Sequence, residues 1–67
     1  MFTIIETRKF NETYTINILS NSTVTPTLYK GFITNNFTGE IVLETEVSDY
    51  VGKVHRTFLN FLEPNYS

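Results

Sequence analysis

The side chains of this sequence that are best placed for acid–base chemistry are three glutamates on one short segment. Glu40, Glu44 and Glu46 are spaced by even numbers of residues, so in a β-strand they share one face. Paired carboxylates can act as general acid and base when a pocket surrounds them. A chain of 67 residues rarely encloses such a pocket. We therefore predict that the protein is not an enzyme and has no catalytic residues.

These three glutamates, which we call the acidic row, have two other interpretations. As a binding surface, it would attract a basic partner and speed association. As a structural feature, it is the solvated face of a half-buried strand, or a set of charges that prevents edge-to-edge pairing. The sequence is compatible with both.

The residue composition of the sequence argues against a metal or cofactor site. The chain has no cysteine, which excludes disulfides and thiolate metal sites. The single histidine, His55, has no second histidine with which to form a metal or catalytic group. It falls inside the apolar arc of a predicted helix, where a boundary residue bonded to the backbone is the simplest interpretation. We predict no metal, no cofactor and no small-molecule substrate.

Four segments rich in β-branched and aromatic residues predict strands, over residues 2–10, 13–19, 27–34 and 40–47. Short turns at 11–12 and 35–39 predict two antiparallel hairpins, and the polar loop 20–26 joins them. Gly31 lies inside the third segment, which predicts a bulge or a close backbone approach.

The last predicted strand leads directly into a helix. Ile41, Leu43 and Val47 alternate with the acidic row and predict one apolar strand face. Ser48 and Asp49 then offer N-cap side chains, after which the apolar spacing becomes helical.

The helix is expected to stop at Pro64, with residues 64–67 as a frayed tail. The predicted fold class is α+β: a four-stranded antiparallel sheet with one C-terminal helix on one face, within a single domain of residues 1–67. The second face of the sheet would be open to solvent or to a partner.

The apolar arc of the predicted helix is wider than packing on a sheet requires. Tyr50 and Phe61 lie at one edge of the arc, and Leu59 lies at the other. Either flanking segments cover these edges, or the three residues belong to a dimer or partner interface, where aromatic residues are enriched. Because a core this small supplies only about 3–5 kcal/mol of net stability, association with another protein or with itself is expected.

Charge and composition narrow the function classes. The net charge of −2 argues against a duplex DNA binder, which is usually strongly basic. A small single-stranded nucleic-acid binder is the alternative, and its side chains would come from one set of aromatic and one set of basic residues. These are Tyr14, Tyr29 and Phe37 for stacking, and Arg8, Lys9 and Lys30 for phosphates.

The sequence has no apolar run of about 20 residues and no visible signal peptide, which predicts no membrane span and a cytoplasmic location. Alanine and glutamine are absent while Asn, Ile and Phe are abundant, a bias typical of AT-rich coding in a bacterial virus or a low-GC bacterium. We predict a non-enzymatic protein–protein interaction module, specifically a bacteriophage accessory protein that binds and inhibits or redirects a host protein. Its predicted contact residues lie at the helix edges and in the acidic row: Tyr50, Phe61, Leu59, Glu40, Glu44 and Glu46.

Overall fold

A computed structural model describes residues 1–63, which form a four-stranded sheet and one C-terminal helix. The elements are β1 (Thr3–Lys9), β2 (Tyr14–Asn21), β3 (Leu28–Asn35), β4 (Ile41–Glu44) and α1 (Val51–Leu62). The strands follow one another in the order β1-β2-β3-β4, and each pairs antiparallel with its neighbours. The predicted α+β class and element order are confirmed. The predicted stop at Pro64 and the predicted tail lie outside the described residues.

Asparagine side chains form both predicted hairpin turns. Asn11 Oδ1 accepts hydrogen bonds from the backbone N–H groups of Thr13 and Tyr14, each at 2.8 Å. In the second hairpin, Asn35 Oδ1 accepts from the N–H groups of Phe37 and Thr38, at 2.8 and 3.1 Å. An Asn side chain that satisfies the next backbone donors closes a turn locally, which is why these turns are readable from sequence.

The core lies between α1 and the central strands. Its buried apolar side chains come from β2, β3 and the helix: Ile16, Ile18, Ile33, Val54, Phe58 and Leu62. Gly31 is the point of closest approach, because a Cβ there would lie 2.5 Å from Cζ of Phe58 and 2.8 Å from Cγ1 of Val54. The backbone oxygen of Asn17 is also 2.8 Å from this Cβ position, so a backbone lies close as predicted, but the closest atom belongs to a helix side chain. The absence of a side chain at Gly31 lets the helix pack on β3.

β4 is shorter and less regular than the alternation predicts. Leu43 pairs with Ile33, but a register shift follows, so that Ile41 pairs with Thr34. Since Ile33 and Thr34 are consecutive, their side chains point to opposite faces, and so do those of Leu43 and Ile41. Only Leu43 packs against the core, whereas Ile41 is 51% exposed. The predicted single apolar face of this strand is wrong, because an extra residue in β4 reverses the alternation.

The chain beyond Glu44 leaves the regular ladder because a side chain replaces a main-chain acceptor. The N–H of Gly31 donates to Oγ1 of Thr45 at 2.8 Å, while the N–H of Thr45 donates to the Gly31 carbonyl at 2.9 Å. The strand therefore ends at Glu44 and not at residue 47, and Val47 is 51% exposed instead of facing the core.

The helix begins later than its candidate caps suggest. Tyr50 is the N-cap residue, with extended backbone angles and no side-chain cap hydrogen bond. Ser48 Oγ instead accepts from the N–H of Tyr50 at 3.1 Å. The prediction that Ser48 or Asp49 caps the helix is wrong, because Ser48 is held in an antiparallel bridge with Tyr29 and so lies outside the helix start.

Candidate interaction surface

An open groove of about 770 Å³ runs between the polar side of α1 and the chain segment that precedes the helix. Its lining residues come from the β2–β3 connection with the start of β3, the segment before the helix and the helix itself: Pro26, Leu28, Glu44, Thr45, Glu46, Val47, Ser48, Asp49, Lys53, Arg56, Thr57 and Asn60. We call the residues 44–49 the acidic wall and the four helical residues 53, 56, 57 and 60 the basic wall.

Backbone hydrogen bonds to β3 hold the acidic wall in place at both ends. At one end the N–H of Thr45 donates to the Gly31 carbonyl at 2.9 Å. At the other, Ser48 and Tyr29 exchange two bonds of 2.9 and 2.6 Å. Between these anchors Glu46 and Val47 are exposed. The wall therefore presents a charged and an apolar side chain from a backbone that is already ordered.

The two walls carry opposite charges that are not neutralised within residues 1–63. The acidic wall has Glu44, Glu46 and Asp49, and the basic wall has Lys53 and Arg56. Within the part of the chain that the structure describes, ion pairs occur only in the first twelve residues, and none involves a groove residue. These five side chains are exposed, so a partner can reach all of them.

The predicted acidic row is divided by the structure. Glu44 and Glu46 both line the groove, whereas Glu40 does not. Glu40 ends the β3–β4 turn, where its carbonyl accepts from the N–H of Asn35 at 2.9 Å and its own N–H donates to Oγ1 of Thr38 at 3.2 Å. The even spacing that linked the three residues does not survive the bulge in β4.

The predicted contact residues of the helix are spread over its length. Tyr50 is 62% exposed and its ring covers Gly52. Phe61 is half-buried and meets Tyr14 edge-on, with ring centroids 5.7 Å apart. Residues 50 and 61 are separated by about 16 Å along a helix axis at 1.5 Å per residue, so they form no common patch. Leu59, 48% exposed, lies on the other edge of the helix.

Sequence reasoning missed three charged residues of the groove: Asp49, Lys53 and Arg56. On a helical wheel the three residues lie on one polar stripe, which is typical of a solvent-exposed helix face. What makes them part of a groove is the path of the acidic wall beside that stripe. One feature of the sequence pointed to this path: the hydroxyl of Thr45 can accept a hydrogen bond from a backbone N–H group. Whether it accepts from Gly31 depends on the strand register.

The residues considered for nucleic-acid stacking are not assembled on one surface. Tyr14 and Tyr29 pack against the core on the helix side of the sheet. Phe37 lies apart from them, in the β3–β4 turn. Of the basic residues, Arg8 and Lys9 contact Glu6 and Glu12 at 3.6 and 3.7 Å, and Lys30 Nζ lies 4.5 Å above the ring of Phe2.

Other site types are not apparent in the described part of the chain. No group of three or more His, Cys, Asp or Glu side chains within residues 1–63 is arranged to hold a metal ion. His55 is half-buried on α1. The helix of residues 1–63 lacks the length and apolar character needed to cross a bilayer.

Comparison with known proteins adds no relative. No protein-family model, no curated protein and no solved structure matches this chain.

Proposed function

We propose that this chain is a non-enzymatic interaction module that binds a segment of another protein in the groove between the acidic and basic walls. The observation that carries the proposal is the set of five exposed charges that find no ion-pair partner within residues 1–63. Charges arranged in two opposed rows give orientation to a bound segment, because a reversed segment would place like charges together.

The chemistry of the partner follows from the two walls. A basic side chain would lie against Glu44 and Glu46, and an acidic one would lie against Lys53 or Arg56. Between the walls, Val47, Leu28 and Pro26 offer an apolar strip. Because β3 already holds the acidic wall, little backbone ordering is needed on binding, which favours affinity.

The biological role that we propose is that of a bacteriophage accessory protein that inhibits or redirects a host protein in the host cytoplasm. It is supported by the small size of the chain and by the absence of alanine and glutamine. The mechanism would be occlusion, in which the module covers a charged segment that the host protein needs for its own contacts. No cofactor takes part in this mechanism.

Tyr50 and Leu59 are proposed as flanking contacts, since both side chains are exposed on α1. Tyr50 directly follows Asp49 of the acidic wall. Its ring, supported by Gly52, is an aromatic contact of the kind that dominates many interfaces. Phe61 is a weaker candidate, because part of its surface is already used against Tyr14.

The test is capture of host protein from a low-GC bacterial lysate with tagged chain, treated with nuclease and analysed by mass spectrometry. The groove variant is Glu44→Lys with Glu46→Lys. The matched control is Glu12→Lys with Glu40→Lys, which makes the same change in net charge outside the groove. We expect one near-stoichiometric protein with the wild type and the control, and its loss with the groove variant.

Three results would contradict the proposal. Equal capture by the groove variant and the control would exclude the groove as the binding site. Loss of all bound material on nuclease treatment, with affinity falling steeply as salt rises, would favour the nucleic-acid alternative. Absence of any near-stoichiometric protein would argue against a host target in that lysate.

A further inference from the structure

The outer side of β1 is the longest free edge of the sheet in residues 1–63. β1 spans seven residues, with a register shift between Ile4 and Glu6, and pairs only with β2, whereas the opposite edge strand, β4, spans four. Six of the seven β1 residues are exposed. A free strand of this length can pair with a strand of another chain.

The hydrogen-bond pattern identifies the residues that offer backbone groups to this edge. The N–H of Phe10 donates to the Tyr14 carbonyl at 2.9 Å, in the register that continues through Lys9↔Thr15 and Thr7↔Asn17. In an antiparallel ladder every second residue bonds to its neighbour strand. Thr7 and Lys9 therefore direct their N–H and C=O groups away from β2, towards the free edge.

The charges of β1 favour a register centred on Thr7 over its two neighbours when β1 pairs with a second copy. In a symmetric antiparallel pair centred on Thr7, Glu6 of each copy lies opposite Arg8 of the other. Centring the pair on Glu6 or on Arg8 instead places like charges opposite each other, which is destabilising. This register applies to residues 6–9, which pair with β2 without interruption, because the β1–β2 register shifts between Ile4 and Glu6.

We infer that two copies of this chain associate through antiparallel β1–β1 pairing about a two-fold axis at Thr7, forming a continuous eight-stranded sheet. In this register Thr7 lies on the axis, and its outward N–H and C=O groups bond to the C=O and N–H groups of Thr7 in the second copy. The pairing adds two Glu6–Arg8 contacts between copies, and the same patch serves both copies, as a two-fold interface requires.

The rest of the fold leaves room for this dimer. α1 packs on β3, so five strand spacings separate the two helices, or about 24 Å at 4.8 Å per strand. The groove lies beside β4, at the opposite edge of the sheet from β1. Self-association therefore leaves the groove open and does not depend on the function proposed for it. The interface is small, which is typical of weak and reversible dimers.

The test is sedimentation equilibrium of the full chain at micromolar to millimolar concentration, with a charge swap in β1. Glu6→Arg and Arg8→Glu alone each place like charges across the interface, and we expect the dimer dissociation constant to rise about tenfold or more. The double variant Glu6→Arg/Arg8→Glu restores opposite charges and should dimerise like the wild type. An equimolar mixture of the two single variants should form a heterodimer.

Glu12→Arg is the matched control for charge, since it makes the same change in the neighbouring turn and should leave dimerisation unchanged. The Glu6–Arg8 pair is solvent-exposed, so its loss should leave the fold intact, as circular dichroism would verify. A wild type that is monomeric at millimolar concentration would overturn the inference. Single variants that dimerise like the wild type, or a folded double variant that stays monomeric, would also overturn it.

Discussion

Replacing Gly31 by alanine tests the packing of the helix on the sheet most directly. The added Cβ would lie 2.5 Å from Cζ of Phe58, 2.8 Å from Cγ1 of Val54 and 2.8 Å from the backbone oxygen of Asn17. Phe58 and Val54 are 2% and 1% exposed, so neither can swing into solvent. The Asn17 carbonyl belongs to the central β2–β3 pair, and its movement would distort the ladder.

The expected cost is at the upper end of the range for overpacking, which is about 1–3 kcal/mol. A Gly→Ala change also lowers the entropy of the unfolded chain, which offsets about 0.4–1 kcal/mol. We expect a net loss of about 2 kcal/mol in the free energy of unfolding. In a domain of this size that lowers the melting temperature by about 8–16 °C, since 1 kcal/mol corresponds to about 4–8 °C.

The assay is urea and thermal denaturation followed by circular dichroism, with Gly52→Ala as the matched control. A Cβ at Gly52 would also lie 2.5 Å from a ring carbon, but that ring belongs to the exposed Tyr50 and can move. Alanine is favoured over glycine in a helix by about 1 kcal/mol, so the control should be neutral or stabilising. Combining Gly31→Ala with Phe58→Leu should recover part of the loss. A Gly31→Ala protein as stable as the wild type would refute the close contact.

Two further stability predictions and one binding prediction follow from the same structure. Phe58→Ala should cost about 3–5 kcal/mol through lost burial and a cavity, so the far-UV spectrum should be that of a largely unfolded chain. Asn35→Ala removes the acceptor of two turn N–H groups and should cost about 1 kcal/mol, as loss of a comparable cap does, measured by the urea midpoint. Tyr50→Ala should weaken capture of the groove partner without changing the melting temperature, because the Tyr50 ring is mostly exposed.

Structural features that depend on residues close together in the sequence could be predicted from the sequence. Asn11 and Asn35 close their turns with bonds to donors two and three residues away, so the turns are encoded within a few positions. The apolar spacing of Val54, Phe58 and Leu62 marks the buried side of α1 without knowledge of its partner. Gly31 signalled a close approach because a strand seldom keeps a glycine without such a reason.

Features that depend on register were decided only in the folded chain. A one-residue shift in β4 moves Ile41 to the opposite face from Leu43. No local sequence pattern predicts the position of this bulge. The Thr45 hydroxyl ends the strand only because it meets the N–H of Gly31, fourteen residues earlier in the chain. That contact sets the path of the acidic wall and, with it, the groove.

The sequence by itself therefore determined the fold class, the helix face and both hairpin turns, because each rests on residues within one turn or one strand period. The tertiary structure alone decided which charges stand together. Glu44 and Lys53 face one groove, and Thr7 directs its backbone to the free edge, because strand pairing joins residues that are distant in sequence. Side-chain types supply the chemistry, and the register of the sheet decides where it is presented.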